Sequence, residues 1–345
     1  MTPQTLNQKL TAAHIPPDLI DKIEQMTAQS KSNPLLVEPT QKYINMVLSL
    51  PWDAVTRDTL DLSGARAILD KHHYGMGVIK DRILEYLSVL ALKAREQNDQ
   101  AIGQKEGIRA PILFFVGLVG TGKTTLADAI AEAMGRRYAR IPFGGMGSSL
   151  DLRGQSRVHP DAEPGQLIKA LIRAGSKNPV VLLDELDRVA ESSRADIMGV
   201  LVELLDPEQN VRFVDHYLDY PFDLSQVLFI ATANNTKNIA TAVLDRLEVI
   251  QMPSYSDEEK TAIGRDYVFP KQLTATGLSN ETLIIASDVW PLIVRPLGFD
   301  AGIRTLERTI NAVCRKVARE IIEGKSKKVE ITKENIKQYL PSEVG

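Results

Sequence analysis

One cysteine, Cys314, stands in a chain of 345 residues. An intrachain disulfide and a cysteine metal cluster are therefore excluded, and a reducing, cytoplasmic-type compartment is the simplest expectation. No excess of one charge is present either: 41 basic against 44 acidic side chains leave −3. Aromatic residues are only 6%, and no basic stripe interleaved with aromatics runs along the chain, so a nucleic-acid motor is disfavoured. No apolar run approaches the ~18–20 residues a membrane span requires. Met1–Ile20 lacks the apolar core of a secretory signal. What remains, 43% hydrophobic and 25% charged, is an ordinary globular composition and excludes collagen-like or mostly disordered chains. The length allows two or three domains of roughly 100–200 residues each.

The hydrophobic pattern divides the chain. Met1–Leu50 reads as short helices broken by Pro16, Pro17 and Pro34, with Tyr43, Ile44, Val47 and Leu48 sharing one face. Pro51-Trp52 closes that segment. Thr56–Arg95 reads as two helices, and polar Gln97–Arg109 as a loop. Continuous apolar runs then follow at Ile112–Val116, Tyr138–Ile141, Val180–Leu183, Val227–Thr232 and Leu247–Gln251, separated by helical patterns. Such runs, buried on both faces and alternating with helices, predict an α/β fold with a parallel sheet. After Pro253 helices dominate, at Asp257–Tyr267, Glu281–Val294 and Gly302–Glu323. A short strand is predicted at Val329–Ile331 and a final helix at Lys333–Tyr339.

Gly117-Leu118-Val119-Gly120-Thr121-Gly122-Lys123-Thr124 fits G-x-x-x-x-G-K-[ST] between a strand and a helix. Glycines let backbone N–H groups wrap a phosphate, and the helix points its positive end at the anion. Lys123 would reach the β and γ phosphates of ATP, and the Thr124 hydroxyl would bind Mg²⁺. Thr125 follows on the same turn. Val180–Leu183 ends in Asp184-Glu185. Asp184 at the end of a buried strand suits the Mg²⁺ shell, and Glu185 suits a general base for water. Asp187 is expected to be solvated. Asn234, just past Val227–Thr232, is placed to orient the attacking water, with Asn235 as the adjacent alternative.

These motifs together resemble an AAA+ ATPase and, more closely, the ATPase module of Lon-type ATP-dependent proteases. The resemblance runs from about Ile20 to Tyr339. It is carried by Leu50-Pro51-Trp52, His73-Tyr74-Gly75-Met76, Leu205-Asp206-Pro207-Glu208-Gln209-Asn210, Phe213-Val214-Asp215-His216-Tyr217-Leu218, Leu244-Asp245-Arg246-Leu247 and Ala301-Gly302-Ile303-Arg304. It implies a helical N-terminal segment (1–55), an AAA+ P-loop core with a five-stranded parallel sheet (56–252) and a small helical lid (253–345). It implies ATP/ADP and Mg²⁺ as ligands, a ring, usually a hexamer, and protein substrates. His73, Tyr74 and Gly75 would line the adenine pocket beside Gly117, Gly120, Thr121 and Gly122. Arg246 resembles the arginine finger that reaches a neighbour's γ phosphate. Arg304 resembles the lid's sensor arginine.

The chain departs from the family in places. Val158-His159-Pro160-Asp161-Ala162-Glu163-Pro164-Gly165 stands where the family has an aromatic-aliphatic substrate grip. Threading of polypeptide then rests on another loop, near Tyr217–Tyr220, or is lost. Gly144-Gly145-Met146-Gly147-Ser148-Ser149 is expected to be flexible. Leu118 and Val119 replace the usual prolines of the phosphate loop with little expected effect on its chemistry. Lon-type proteases place a serine–lysine peptidase after the lid. Gly345 follows Tyr339 too closely to leave room for it, so no peptidase activity is expected from this chain alone. A separate peptidase domain is then a candidate partner. The rival readings are a stand-alone AAA+ protein that remodels a partner without degrading it, and a binding module that uses nucleotide as a switch.

Overall fold

The computed structural model describes residues 3–99, 111–295 and 302–341. Its strands are β1 (Ile112–Val116), β2 (Tyr138–Pro142), β3 (Val180–Asp184), β4 (Phe213–Asp215), β5 (Tyr220–Phe222), β6 (Leu228–Ala233), β7 (Leu247–Gln251), β8 (Leu283–Ile285) and β9 (Val329–Ile331). The chain forms two compact units. One comprises Met1–Leu69, Val78–Val116 and Thr124–Ile250, the other Asp70–Gly77, Gly117–Lys123 and Gln251–Gly345.

The first unit is built on a five-stranded sheet in the order β2-β3-β6-β1-β7. The β2–β3, β3–β6 and β1–β6 pairs run parallel. Position in the sheet explains composition. The interior strand β3 is buried at every residue, and β1 at all but its first, as covering on both faces demands. The outer strand β2 instead alternates, with Arg140 and Pro142 exposed. Proline cannot complete a ladder and is tolerated at an edge. The helices Lys123–Met134, Gln166–Ala174 and Arg194–Leu205 follow or separate these strands. Gly175 ends the second of them in a left-handed cap, φ 62°.

The N-terminal helices Pro3–Ala12, Pro17–Ser32 and Val37–Ser49 share this unit's core. Leu10, Leu19, Ile23, Tyr43 and Val47 are fully buried in one cluster with Phe213 and Phe222. Full burial of each such side chain is worth about 1.5–3 kcal/mol. Trp52 closes the cluster edge, its ring 5.2 Å from Phe222 and its Nε1–H donating to the Val47 carbonyl at 2.8 Å.

The strands β4 and β5 form an antiparallel hairpin with Phe213 opposite Phe222. The sequence pattern does not predict these two three-residue strands. Asp215 organises the hairpin from a fully buried position. Its carboxylate accepts N–H bonds from Gly165 (2.7 Å), Tyr217 (2.8 Å) and Leu218 (3.0 Å). Burial pushes its pKa up, and the three donors pull against that.

The second unit is mainly helical. Ser256 and Glu259 form a capping box at the start of Asp257–Ile263. That helix does not stop near Tyr267 as the sequence suggests. It passes through a π-helical turn, Gly264–Val268, into Phe269–Thr276. Pro270 sits in the first turn after the π segment, where a missing N–H is tolerated. The expected helix Glu281–Val294 is a composite: β8, a short 3₁₀ turn and then Trp290–Val294. β8 pairs in parallel with β9, so tertiary pairing overrides a helical pattern there. Arg304–Ile322 buries Leu306, Ile310, Val313, Cys314 and Val317 along one face. Burial pushes the Cys314 thiol up to about 11, which leaves it inert. The helix Gly77–Asp99 runs past Gln97, where a loop is expected. The rest of that stretch, 100–109, lies outside the described residues.

Asp215→Ala should strand three buried backbone donors. Unmet buried donors cost about 1–3 kcal/mol each before relaxation, so a loss of some 2–4 kcal/mol is expected in urea unfolding, and an unchanged midpoint would show that water replaces the carboxylate.

Candidate nucleotide-binding and hydrolysis residues

In the second unit the loop after β1 is held by its own groups. Gly120 and Gly122 lie at φ 81° and 90°, conformations that favour glycine. The Lys123 ammonium donates to the carbonyls of Gly117 (2.6 Å) and Leu118 (2.9 Å). The buried Thr121 hydroxyl donates to Leu118 O at 2.9 Å. The lysine thus closes the ring of backbone that would surround a phosphate.

His73, Tyr74 and Gly75 lie in the same unit. A side chain on Gly122 would stand 3.3 Å from the His73 ring and 3.5 Å from Tyr255 Oη. His73 is buried. Tyr74 is 40% exposed and edge-on to Tyr267, ring centres 6.3 Å apart. Gly75 adopts φ 67°. Tyr255, which the sequence does not flag, donates to Thr121 O at 3.4 Å, and burial pushes its hydroxyl up to about 12. Arg304 begins the helix Arg304–Ile322 and is exposed. The preceding Ile303 N–H donates to Gly120 O at 3.0 Å. A side chain on Gly302 would stand 2.3 Å from Val119 O. The sensor-like arginine and the phosphate loop are therefore neighbours within one unit.

In the first unit the carboxylates gather at the carboxyl ends of β3 and β6. Register does this. Leu183 pairs with Ala231, so Thr232 comes beside Asp184 and its hydroxyl donates to Asp184 Oδ1. Thr124 Oγ1 lies 3.5 Å from the same oxygen. Asp184 is 3% exposed. Its second oxygen, Oδ2, takes both Arg140 Nε and Nη2 at 2.6 Å. Arg140 reaches it from β2, two residues along the same face, because Arg140 pairs with Leu182. Thr125 is exposed on the first turn of Lys123–Met134.

Glu185 adopts the left-handed region, φ 61°, an uncommon place for a side chain that clusters at functional sites. Its N–H donates to Thr232 Oγ1 at 3.0 Å, and its carboxylate lies 3.3 Å from Arg188 Nη1. Asp187 is not solvated: it is 7% exposed. One of its oxygens accepts the Asn234 N–H at 3.1 Å, the other the Asn235 side-chain amide at 3.3 Å, and its carbonyl accepts from Asn238. A single carboxylate thus fixes the turn that carries Asn234. The clue in the sequence was the crowding of three asparagines into one short turn, which need an acceptor.

Arg246 is not paired with Asp245 or Glu248, its sequence neighbours. Its guanidinium lies 3.1 Å from Asp206 and donates to Ala242 O at 2.7 Å. Asp206 is held below its ordinary pKa first by the Glu208 N–H and then by Arg246. The pair therefore stabilises fully above the ordinary carboxylate range and is lost as pH falls through the lowered value.

Val158 is 88% exposed, and His159, Pro160 and Asp161 are exposed with it. The loop's base is tied by Gln155 N–H to Glu163 O at 3.0 Å and by Arg157 stacked 4.0 Å over the Tyr43 ring. The alternative grip at Tyr217–Tyr220 is spoken for. Tyr217 is buried against Tyr43, while Tyr220 packs edge-on to Trp52 and donates to Asp18. Gly144–Ser149 is not slack either. Met146 is buried, and Asp151 accepts the N–H groups of Gly147 (3.1 Å) and Ser148 (3.0 Å).

The donor set fits Mg²⁺: Thr124 and Asp184 offer hard oxygens, and a single carboxylate plus hydroxyl leaves places for phosphate and water. Among the described residues no helix is long and apolar enough to cross a membrane.

Residues 113–255 match the family described as "ATPase family associated with various cellular activities (AAA)". Residues 274–330 match the "Lon protease AAA+ ATPase lid domain". The chain is 42% identical over 340 residues to "Lon protease 2" of Thermus thermophilus, covering 98% of this chain and 42% of that protein. It is 46% identical over 298 residues to "Lon protease" of Lawsonia intracellularis, covering 86% and 34%. A "Lon protease" of Dictyoglomus thermophilum is 41% identical over 342 residues, covering 98% and 42%. The chain spans less than half the length of these relatives. An AAA core followed by a Lon lid, on a five-stranded α/β sheet, makes this chain a Lon-type AAA+ module.

Proposed function

We propose that this chain is the Mg²⁺-dependent ATPase motor of a Lon-type system, working in the cytoplasm in a ring and moving protein substrates for degradation. One observation carries the reading. Thr124 Oγ1 lies 3.5 Å from buried Asp184, and Thr124 is the residue that directly follows Lys123 in the phosphate-loop motif.

In this reading the loop N–H groups and Lys123 hold the β and γ phosphates of ATP. His73, Tyr74 and Gly75 receive the adenine. Thr124 and Asp184 hold Mg²⁺, which neutralises phosphate charge. Glu185 takes a proton from the attacking water, and Asn234, fixed by Asp187, orients that water. Arg246 leaves Asp206 to reach the γ phosphate of a neighbouring subunit, where it stabilises charge in the transition state. Arg304 acts on the phosphates of its own subunit. The loop around Val158 favours a second reading, a stand-alone remodeller. An apolar paddle grips a passing polypeptide by side-chain contact, and His159, Pro160 and Asp161 do not supply one. A casein degradation assay with a separately supplied Lon-type peptidase domain distinguishes the two.

Glu185→Gln should bind a fluorescent ATP analogue normally yet lose phosphate release by at least ~10²-fold, the scale of general-base catalysis. Normal turnover in that variant would remove Glu185 from its role. Arg246→Ala should abolish turnover alone and regain part of it when mixed with Lys123→Ala, because each variant supplies what the other lacks. No recovery in mixtures argues against action between subunits. Asp187→Ala should cost about 1–3 kcal/mol and speed amide exchange at Asn234–Asn238, with kcat falling more than ATP affinity.

A further inference from the structure

We propose that Arg140 is a resident counter-cation of Asp184 that competes with Mg²⁺, and so sets how much Mg²⁺ the site requires. The inference rests on the reading of Asp184 as part of the metal shell.

A carboxylate at 3% exposure is costly to bury unless donors and an opposite charge meet it. Both oxygens of Asp184 are met. Oδ1 takes the hydroxyls of Thr232 and Thr124. Oδ2 takes two guanidinium nitrogens of Arg140, each at 2.6 Å. The arginine therefore supplies this carboxylate with the positive charge that a bound metal ion would otherwise supply.

The two partners differ in freedom. The Asp184 side chain is 4% exposed and that of Arg140 is 49% exposed. Asp184 ends the interior strand β3, while Arg140 rides on β2 at the sheet edge. When a second cation arrives, Coulomb repulsion acts on both, and only Arg140 can move into water at small cost. The pair is thus a displaceable plug. It keeps the acidic strand end satisfied without metal and raises the Mg²⁺ concentration needed to replace it. Arg140 would act as a positioning residue, not as a group that touches nucleotide.

The test uses the full chain loaded with a fluorescent ADP analogue, stripped with EDTA and titrated with Mg²⁺. Arg140→Gln should lower the half-saturating Mg²⁺ on the order of tenfold, the scale of one adjacent like charge in a partly solvated site. Its unfolding midpoint should fall without metal and rise more on Mg²⁺ addition than that of the unsubstituted chain. Arg140→Lys, which keeps the charge, should titrate close to the original. An unchanged or higher half-saturation in folded Arg140→Gln overturns the proposal. Asp184→Asn separates the two layers. If it titrates like the original, the reading of Asp184 itself falls; if it shifts while Arg140→Gln does not, only the counter-cation idea falls. Should Arg140→Gln fail to fold, arginine-labelled NMR of the unsubstituted protein gives the answer. The Arg140 Nε–H should be protected without metal and exchange faster once Mg²⁺ and ADP are bound, and an unaltered signal overturns the proposal.

Discussion

A negative charge buried at the end of an apolar strand is the constraint around which the first unit is arranged. Asp184 lies where β3 runs out, almost without access to water. It is tolerable only because neighbouring strands deliver donors to it: Thr232 from β6, Arg140 from β2, and Thr124 from the helix after the phosphate loop. Those deliveries depend on register. A slip of one residue between β3 and β6 would turn Thr232 to the opposite face and leave the carboxylate unmet. Sheet order and site chemistry are thus one requirement.

Local strain accompanies the same feature. Glu185 follows Asp184 in a left-handed conformation and is held by Thr232 and Arg188. Thr232 therefore serves two consecutive acidic residues, accepting from one backbone and donating to the other side chain. Asp187 then holds the turn carrying Asn234. A short acidic stretch, Asp184–Asp187, positions nearly every group that the proposed hydrolysis uses in this unit. The second unit solves a different problem. Its phosphate loop must expose N–H groups, so its carbonyls need partners from within, and Lys123, Thr121 and Tyr255 engage them or the backbone beside them.

The departures from the family pattern acquire physical content in the structure. Buried Met146 and the Asp151 carboxylate hold Gly144–Ser149 in place. The Val158 loop is presented on a fixed base, with Arg157 stacked on Tyr43 and buried Asp215 bonding Gly165. Small or unusual residues there need not mean looseness. Hydrogen bonds from distant elements supply the order that the local sequence lacks.

Much of this protein was legible in its sequence. The five apolar runs became the five strands of the sheet, because strands covered on both faces leave little choice of residue. The phosphate loop and Asp184-Glu185 could be proposed from the sequence because the chemistry assigned to them depends on residue type at fixed local spacing. The short strands β4, β5 and β8 were not legible, unlike the equally short β9, since three residues carry little period and pairing is what defines them. Nor were the partners of charged groups. Asp187 read as solvated, and nothing in the sequence joined Arg246 to Asp206. Burial and partnership are set by which strands and turns come side by side, a property of the folded chain. The sequence by itself marked which residues are candidates for the proposed chemistry. The tertiary structure decided what holds each of them, because a buried charge is stabilised by whatever donors the topology brings within reach.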